Sequence, residues 1–264
     1  MIGLFDSGVG GLTVVKALLE KAPRADFVYL GDTARTPYGN KSPETVERYA
    51  LEDAEYVIRH GAELVIVACN TASALALPKL QETFPNVPFT GVVKPAAQAA
   101  AALDREKVGV IGTKATVNSG IYEKVVHKYE QKAKIIQKAC PLFVPLVEEG
   151  LLDDQVTKIM IRRYLTPLRQ ANVGSLILGC THYPFLKNAI QRFMGNKVKV
   201  IDSASVVIQQ AMEEYPELFV AKEDPKQLIA FTDTSPNLDK LASDWLGLPV
   251  KGIKAELAAE TVNA

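Results

Sequence analysis

Cysteine is scarce in this chain. Its 264 residues include three, Cys69, Cys140 and Cys180, an odd number with no Cys-x-x-Cys spacing. That argues against a disulfide framework and against a dithiol redox motif, and it points to a reducing compartment. The thiols also lack the number and clustering of a zinc site. Net charge is missing: thirty Lys and Arg stand against thirty Asp and Glu, so no net field draws the chain to nucleic acid or to an anionic membrane. No apolar run is long enough to span a bilayer. The N-terminus enters a strand-like segment at Ile2, without the charged, apolar and cleavage regions of a secretory signal. A cytoplasmic protein is expected. The turn Gly8-Val9-Gly10-Gly11 lacks the Gly-x-Gly-x-x-Gly spacing of a dinucleotide site and the Gly-Lys-Ser/Thr of a P-loop.

What the chain has is alternation. Short apolar runs at 2–5, 27–30, 64–68, 87–93, 108–111, 135–136, 175–178, 198–201 and 228–232 read as strands. Helical segments lie between them. Leu12, Val15, Leu18 and Leu19 share one face of the first. Ser42-Pro43 opens a long helix, with Ser as N-cap and Pro in the first turn, and His60-Gly61 closes it. Further helices are expected from the Cys69 turn through about residue 80, over 95–103, from about Asn118, over 153–170 and 204–215, and around Trp245, with 141–150 as a loop. This order predicts an α/β architecture with mostly parallel sheets. It also carries a faint duplication. The strand, turn and helix at 2–19 resemble those at 108–127, an offset of about 106 residues, and the Cys69 and Cys180 strands are offset by 111. Two pseudo-symmetric α/β domains follow as an expectation, one of residues 1–94 plus 208–264 and one of 95–207. Ligands of open parallel sheets bind beyond the carboxyl ends of the strands. The turns at Asp6, Cys69, Gly112 and Cys180 all lie at such ends, so the active site is expected in the cleft between the domains.

Cys69 and Cys180 each end an apolar run just before a helix, where backbone dipoles favour thiolate. Hydrogen-bonding residues follow each of them: Asn70-Thr71 and Thr181-His182. Cys140 has no such neighbours and reads as a buried hydrophobe. Two thiols facing one carbon act as two acid/base groups: one removes a proton and the other returns one from the far side. Approach distances of about 3–3.5 Å on each side put the sulfurs roughly 7 Å apart. A thiol needs only a modest downward pKa shift to ionise near neutrality. His182, two residues from Cys180, suits the role of deprotonating or orienting it. Asp6 is either an N-cap or a group that assists the other thiol or binds a substrate ammonium. The amides of the glycine-rich turn suit a carboxylate. Thr71, Thr113, Thr116 and Thr181 offer hydroxyls, and Tyr38-Gly39 suits a lid presenting backbone amides.

Asp6-Ser7-Gly8-Val9-Gly10-Gly11, Pro37-Tyr38-Gly39, Cys69-Asn70-Thr71-Ala72-Ser73 and Gly179-Cys180-Thr181-His182-Tyr183-Pro184 together resemble the signature segments of the bacterial glutamate racemases, within the cofactor-independent aspartate/glutamate racemase family. They stand in that family's order and spacing across essentially the whole chain. The resemblance implies two pseudo-symmetric α/β domains with the site between them. It implies conversion of L-glutamate to D-glutamate for peptidoglycan synthesis, without pyridoxal phosphate, metal or nucleotide. Cys69 and Cys180 would be the two proton donors and acceptors, the Cys69 side taking the proton from the D isomer and the Cys180 side from the L isomer. Asp6 and His182 would assist the nearer thiol. Asp6, Ser7, Tyr38, Gly39, Asn70, Thr71, Thr113, Thr116, Thr181 and His182 would contact substrate, and Glu148 resembles an acidic residue near the site in relatives. The oligomeric state stays open, with a homodimer among the options.

Three other readings remain at this point. An aspartate racemase shares the two-thiol logic, but such relatives commonly carry Glu at the position of His182 and lack the Asp-Ser-Gly start. A Cys/His hydrolase or amidotransferase would use Cys180 and His182. A binding protein would retain the fold without turnover.

Overall fold

The computed structural model describes residues 1–257. Ten strands run in chain order as β1 (Ile2–Asp6), β2 (Phe27–Gly31), β3 (Leu64–Val67), β4 (Phe89–Gly91), β5 (Lys107–Gly112), β6 (Lys134–Ala139), β7 (Ser175–Gly179), β8 (Lys199–Asp202), β9 (Gln227–Phe231) and β10 (Ile253–Lys254). Every described ladder is parallel. One sheet has the order β10-β9-β2-β1-β3-β4 and the other β6-β5-β7-β8. The last four strands of the first order, β2-β1-β3-β4, repeat the order of the second, with β1 matching β5 and β3 matching β7. The chain is therefore α/β with two parallel sheets. The strands of the first sheet come from both ends of the chain and those of the second from its middle. The last seven residues of the segment 208–264 lie outside the described residues.

Both faces of the central strands are buried, which is why they read as unbroken apolar runs. Ile2, Leu4, Leu64 and Ile66 face one way, into a core that continues through Leu176 and Leu178 of the second sheet. Phe5, Val28, Leu30, Val65 and Val67 face the other way, into a core of their own. The shared core holds the carboxyl ends of β1, β3, β5 and β7 close together.

The helices are α1 (Leu12–Lys21), α2 (Pro43–Arg59), α3 (Asn70–Leu75), α4 (Leu77–Thr83), α5 (Val93–Ala101), α6 (Lys114–Asn118), α7 (Ile121–Val126), α8 (Phe143–Glu148), α9 (Gln155–Gln170), α10 (Lys187–Met194), α11 (Ser203–Glu214) and α12 (Pro236–Leu246). The Ser42 hydroxyl caps α2 as expected, accepting from the Thr45 amide. Three boundaries differ from the sequence reading. The helix after Cys69 is broken at Ala76, because Pro78 has no N–H for the carbonyl one turn back. The helix near Asn118 is two, split at Gly120, whose φ of 64° is left-handed. The stretch 141–150 is not a loop but holds α8. Pro145 sits in its first turn, where a missing N–H costs nothing. No described helix is long and apolar enough to cross a membrane.

Candidate active site

The turn after β3 places Cys69 at the N-cap of α3, with its sulfur accepting from the Ala72 amide at 3.5 Å. That sulfur also lies 3.6 Å from the Ser7 hydroxyl. The turn after β7 places Cys180 before a 3-10 turn at Tyr183–Leu186, with its sulfur 3.9 Å from His182 Nδ1. His182 Nε2 in turn lies 3.0 Å from Glu148 Oε1 at the end of α8. Both sulfurs line one small cavity of about 20 Å³, room for about one water molecule. Its walls come from both sheets: Ser7, Thr36, Pro37, Tyr38, Gly39, Cys69, Asn70 and Thr71 from the first, and Thr113, Val144, Cys180, Thr181 and His182 from the second. A cavity of about 500 Å³ shares Thr36, Pro37, Gly39, Thr113 and Val144 as walls and reaches Lys114 and Leu142.

Asp6 stands behind the cavity wall and is fully buried. Its Oδ2 accepts from the Gly11 amide at 2.9 Å, and its Oδ1 from the Thr181 hydroxyl at 3.5 Å. The Gly11 amide, expected to be open to a substrate carboxylate, is thus occupied by the chain's own. Gly10 allows close packing here, since a Cβ on it would lie 2.5 Å from His182 Nδ1. Thr71, Thr113 and Thr116 close a triangle of hydroxyls at 3.0, 3.3 and 3.0 Å across the two units. Thr116 is completely buried in it and does not line the cavity.

The segment between β2 and α2 is held from behind by a charged network. Arg35 Nε donates to Asp32 at 2.7 Å and its Nη2 to Asp53 at 3.1 Å, and its Nη1 reaches Glu52. The Tyr38 hydroxyl lies 2.5 Å from Asp32 Oδ2 and 2.7 Å from Asp53 Oδ2. The Tyr38 phenol is therefore turned away from the cavity. Its turn, with Gly39, can offer the cavity only backbone.

Ionisation differs from the sequence expectation at Cys69. Burial, reinforced by the charge of Asp6, pushes this thiol up to about 12. The terminus of a six-residue helix does not outweigh the loss of water. Burial also raises the Asp6 carboxyl. For His182, burial acts downward, but hydrogen bonds to Cys180 and Glu148 act upward and win, and it titrates at about 10. The imidazole, set between the Cys180 sulfur and the Glu148 carboxyl group, thus holds its proton more tightly than an ordinary histidine.

The structure thus brings Ser7, Tyr38, Gly39, Cys69, Asn70, Thr71, Thr113, Cys180, Thr181 and His182 together at one cavity. It sets Asp6, Thr116 and Glu148 one contact behind. Sequence reasoning left Thr36, Pro37 and Val144 out of the site. Thr36 directly precedes Pro37-Tyr38-Gly39, and that adjacency was the available signal. Val144 had none, because its segment read as a loop. Cys140 is buried, as its sequence context indicated. Among the described residues, no group of three or more His, Cys, Asp or Glu is arranged to hold a metal ion.

Two parallel sheets of like strand order, each offering a thiol from a strand end to one shared cavity, define a class: α/β proteins with a cysteine from each sheet at one site. The sequence pattern of the Asp/Glu/hydantoin racemases matches residues 6–211, and the chain belongs to that family. It is therefore an isomerase. The glutamate racemase of Aquifex pyrophilus is 46% identical over 254 residues, 95% of this chain and 96% of that one. Glutamate racemase from Francisella tularensis, solved in complex with D-glutamate, matches with a TM-score of 0.88 at 34% identity, over 98% of this chain and 97% of that one. Glutamate racemase from Thermus thermophilus, solved in complex with beta-chloro-D-alanine, matches with a TM-score of 0.86 at 45% identity, over 97% and 96%.

Proposed function

We propose that the protein interconverts L- and D-glutamate by a two-base reaction at Cys69 and Cys180, and that the D isomer serves peptidoglycan synthesis in the cytoplasm. The observation that carries this is the pair of sulfurs on one cavity, one from each of two like-ordered sheets. Relatives named glutamate racemase, similar over nearly the full chain, support the choice of substrate. In one direction Cys180 takes the α-proton and the Cys69 thiol delivers its own proton to the opposite face. The reverse reaction exchanges the roles. Cys69, held as a thiol by burial, begins as the donor. Asp6, whose carboxyl interacts with that thiol, is the nearby base that readies it for the reverse direction. The His182 cation can hold negative charge on the Cys180 sulfur. Asn70, Thr71, Thr113, Thr181, Ser7 and the Tyr38-Gly39 backbone surround the substrate's polar groups. On this reading residues 1–94 with the described part of 208–264 form one lobe and 95–207 the other.

The test is racemisation of L-glutamate in deuterated water. D-glutamate should appear with solvent deuterium at its α-carbon, and L-aspartate should not turn over. Inverted product that keeps protium at the α-carbon excludes the two-base reaction.

The Glu148 carboxylate helps to hold the proton on His182. In Glu148→Gln that support is gone, so His182 loses its proton at lower pH. The alkaline limb of kcat/KM should then move toward neutrality, which a pH profile of the variant measures. An unmoved limb would separate Glu148 from the chemistry.

A further inference from the structure

One buried donor in the cavity is unexplained by the contacts described so far. Asn70 is 2% exposed and lines the cavity beside Cys69. Its side-chain nitrogen Nδ2 is buried without a hydrogen-bond partner. A buried amide donor left unpaired is costly, and such groups in folded proteins call for an explanation. Its other atom, Oδ1, accepts from the hydroxyl of Tyr122 at 2.6 Å. Tyr122 lies on α7, fully buried. Its ring packs against Gly179, where a Cβ would stand 3.0 Å from Tyr122 Cε2. One side chain therefore touches the residue after Cys69 through its hydroxyl and the residue before Cys180 through its ring. Burial and the nearby Cys180 raise its phenol above the ordinary tyrosine range, so the hydroxyl keeps its proton and remains a donor.

We propose that Tyr122 is a positioning residue. By donating to Oδ1 it fixes the Asn70 amide so that Nδ2 meets a carboxylate oxygen of the bound amino acid, and its ring sets the spacing of the two thiol turns. An Asn amide is free to turn over, and with Oδ1 engaged by an obligate donor only Nδ2 is left for the substrate. The role rests on the racemisation proposed above. Phenylalanine would pack in the same place, so the hydroxyl is what the orientation requires.

Tyr122→Phe, Asn70→Ala and the double variant test this. A hydrogen bond to a carboxylate made in both ground and transition state shows in KM. Tyr122→Phe should raise KM for both isomers about tenfold, with kcat changed less than about threefold and a wild-type melting profile. In the Asn70→Ala background the same substitution should add nothing further. A packing role would instead lower stability and add its full effect in both backgrounds. An unchanged KM, or additive effects, overturns the positioning role while leaving racemisation by the wild type intact. Should the wild type fail to racemise glutamate, the functional reading falls on its own, and the same four proteins are compared by calorimetric binding of D-glutamate, where non-additive losses uphold Tyr122 and additive ones overturn it. A measurement without Tyr122 variants is the Asn70 side-chain amide resonance, assigned by its absence in Asn70→Ala. D-glutamate should move it in the wild-type protein, and an unmoved resonance counts against the proposal.

Discussion

Cys69→Ala and Cys180→Ala are each expected to abolish racemisation in both directions, by about a thousandfold or more, with the fold intact. A positioned acid or base contributes roughly 10²–10⁴ in rate, and here each sulfur is acid in one direction and base in the other. Removing either one therefore stops both reactions. The two variants should still differ in one respect. The surviving sulfur can exchange the α-hydrogen of the isomer it faces without inverting it. By the assignment above, Cys180→Ala retains slow deuterium exchange into D-glutamate and Cys69→Ala into L-glutamate. Polarimetry reads inversion and proton NMR reads exchange on the same samples. Near-normal turnover in both directions by either variant would sink the two-base reaction. Exchange into the wrong isomer would reverse the assignment of faces without touching the reaction itself.

The parts of this site written in local sequence were legible, and the parts made by depth and distance were not. Leu64-Val65-Ile66-Val67 and Leu176-Ile177-Leu178 are unbroken apolar runs because both faces of their sheets are covered. A thiol after each run was enough to locate the two turns, and their repetition foreshadowed the matching strand orders. The charge state of Cys69 was misread because a helix start is visible in sequence and burial depth is not. Desolvation, the larger influence, comes from residues far away in the chain. Proline misled at 141–150, where Pro145 is compatible with the first turn of α8. Tyr122 escaped notice because its partner, Asn70, is 52 residues away. Asp32 and Arg35 lie between β2 and α2 and Asp53 on α2, and only the fold turns them inward together.

Arg35→Met is expected to cost about 3–5 kcal/mol of stability, the usual consequence of leaving a buried carboxylate, here Asp32, without its cation. Asp53→Asn is expected to cost little. The difference follows from proton placement. Tyr38 has one hydroxyl hydrogen and two carboxylates within reach. Asp32 already accepts from Arg35 Nε and from the Thr232 hydroxyl, which suits an anion. Burial, with the charge of Asp32 beside it, raises the Asp53 carboxyl well above its ordinary range. The chain of bonds that fits both facts runs from protonated Asp53 to the Tyr38 oxygen and from the Tyr38 hydroxyl to ionised Asp32. An asparagine side chain in place of Asp53 reproduces the donor to Tyr38 and the acceptor for Arg35. A group whose folded pKa lies above its unfolded value favours the folded state most at pH below the unfolded value, and that advantage is lost as pH rises toward the folded value. The substituted amide does not titrate. The stability of Asp53→Asn relative to wild type should therefore climb as pH rises from about 4, as denaturant midpoints at several pH values would record. If Asp53→Asn proves as damaging as Arg35→Met, Asp53 is ionised in the folded protein and the proton assignment is wrong. The same network bears on activity, because it holds the Tyr38-Gly39 turn against the cavity. Arg35→Met protein that remains folded should lose affinity for glutamate, and Asp53→Asn should keep it.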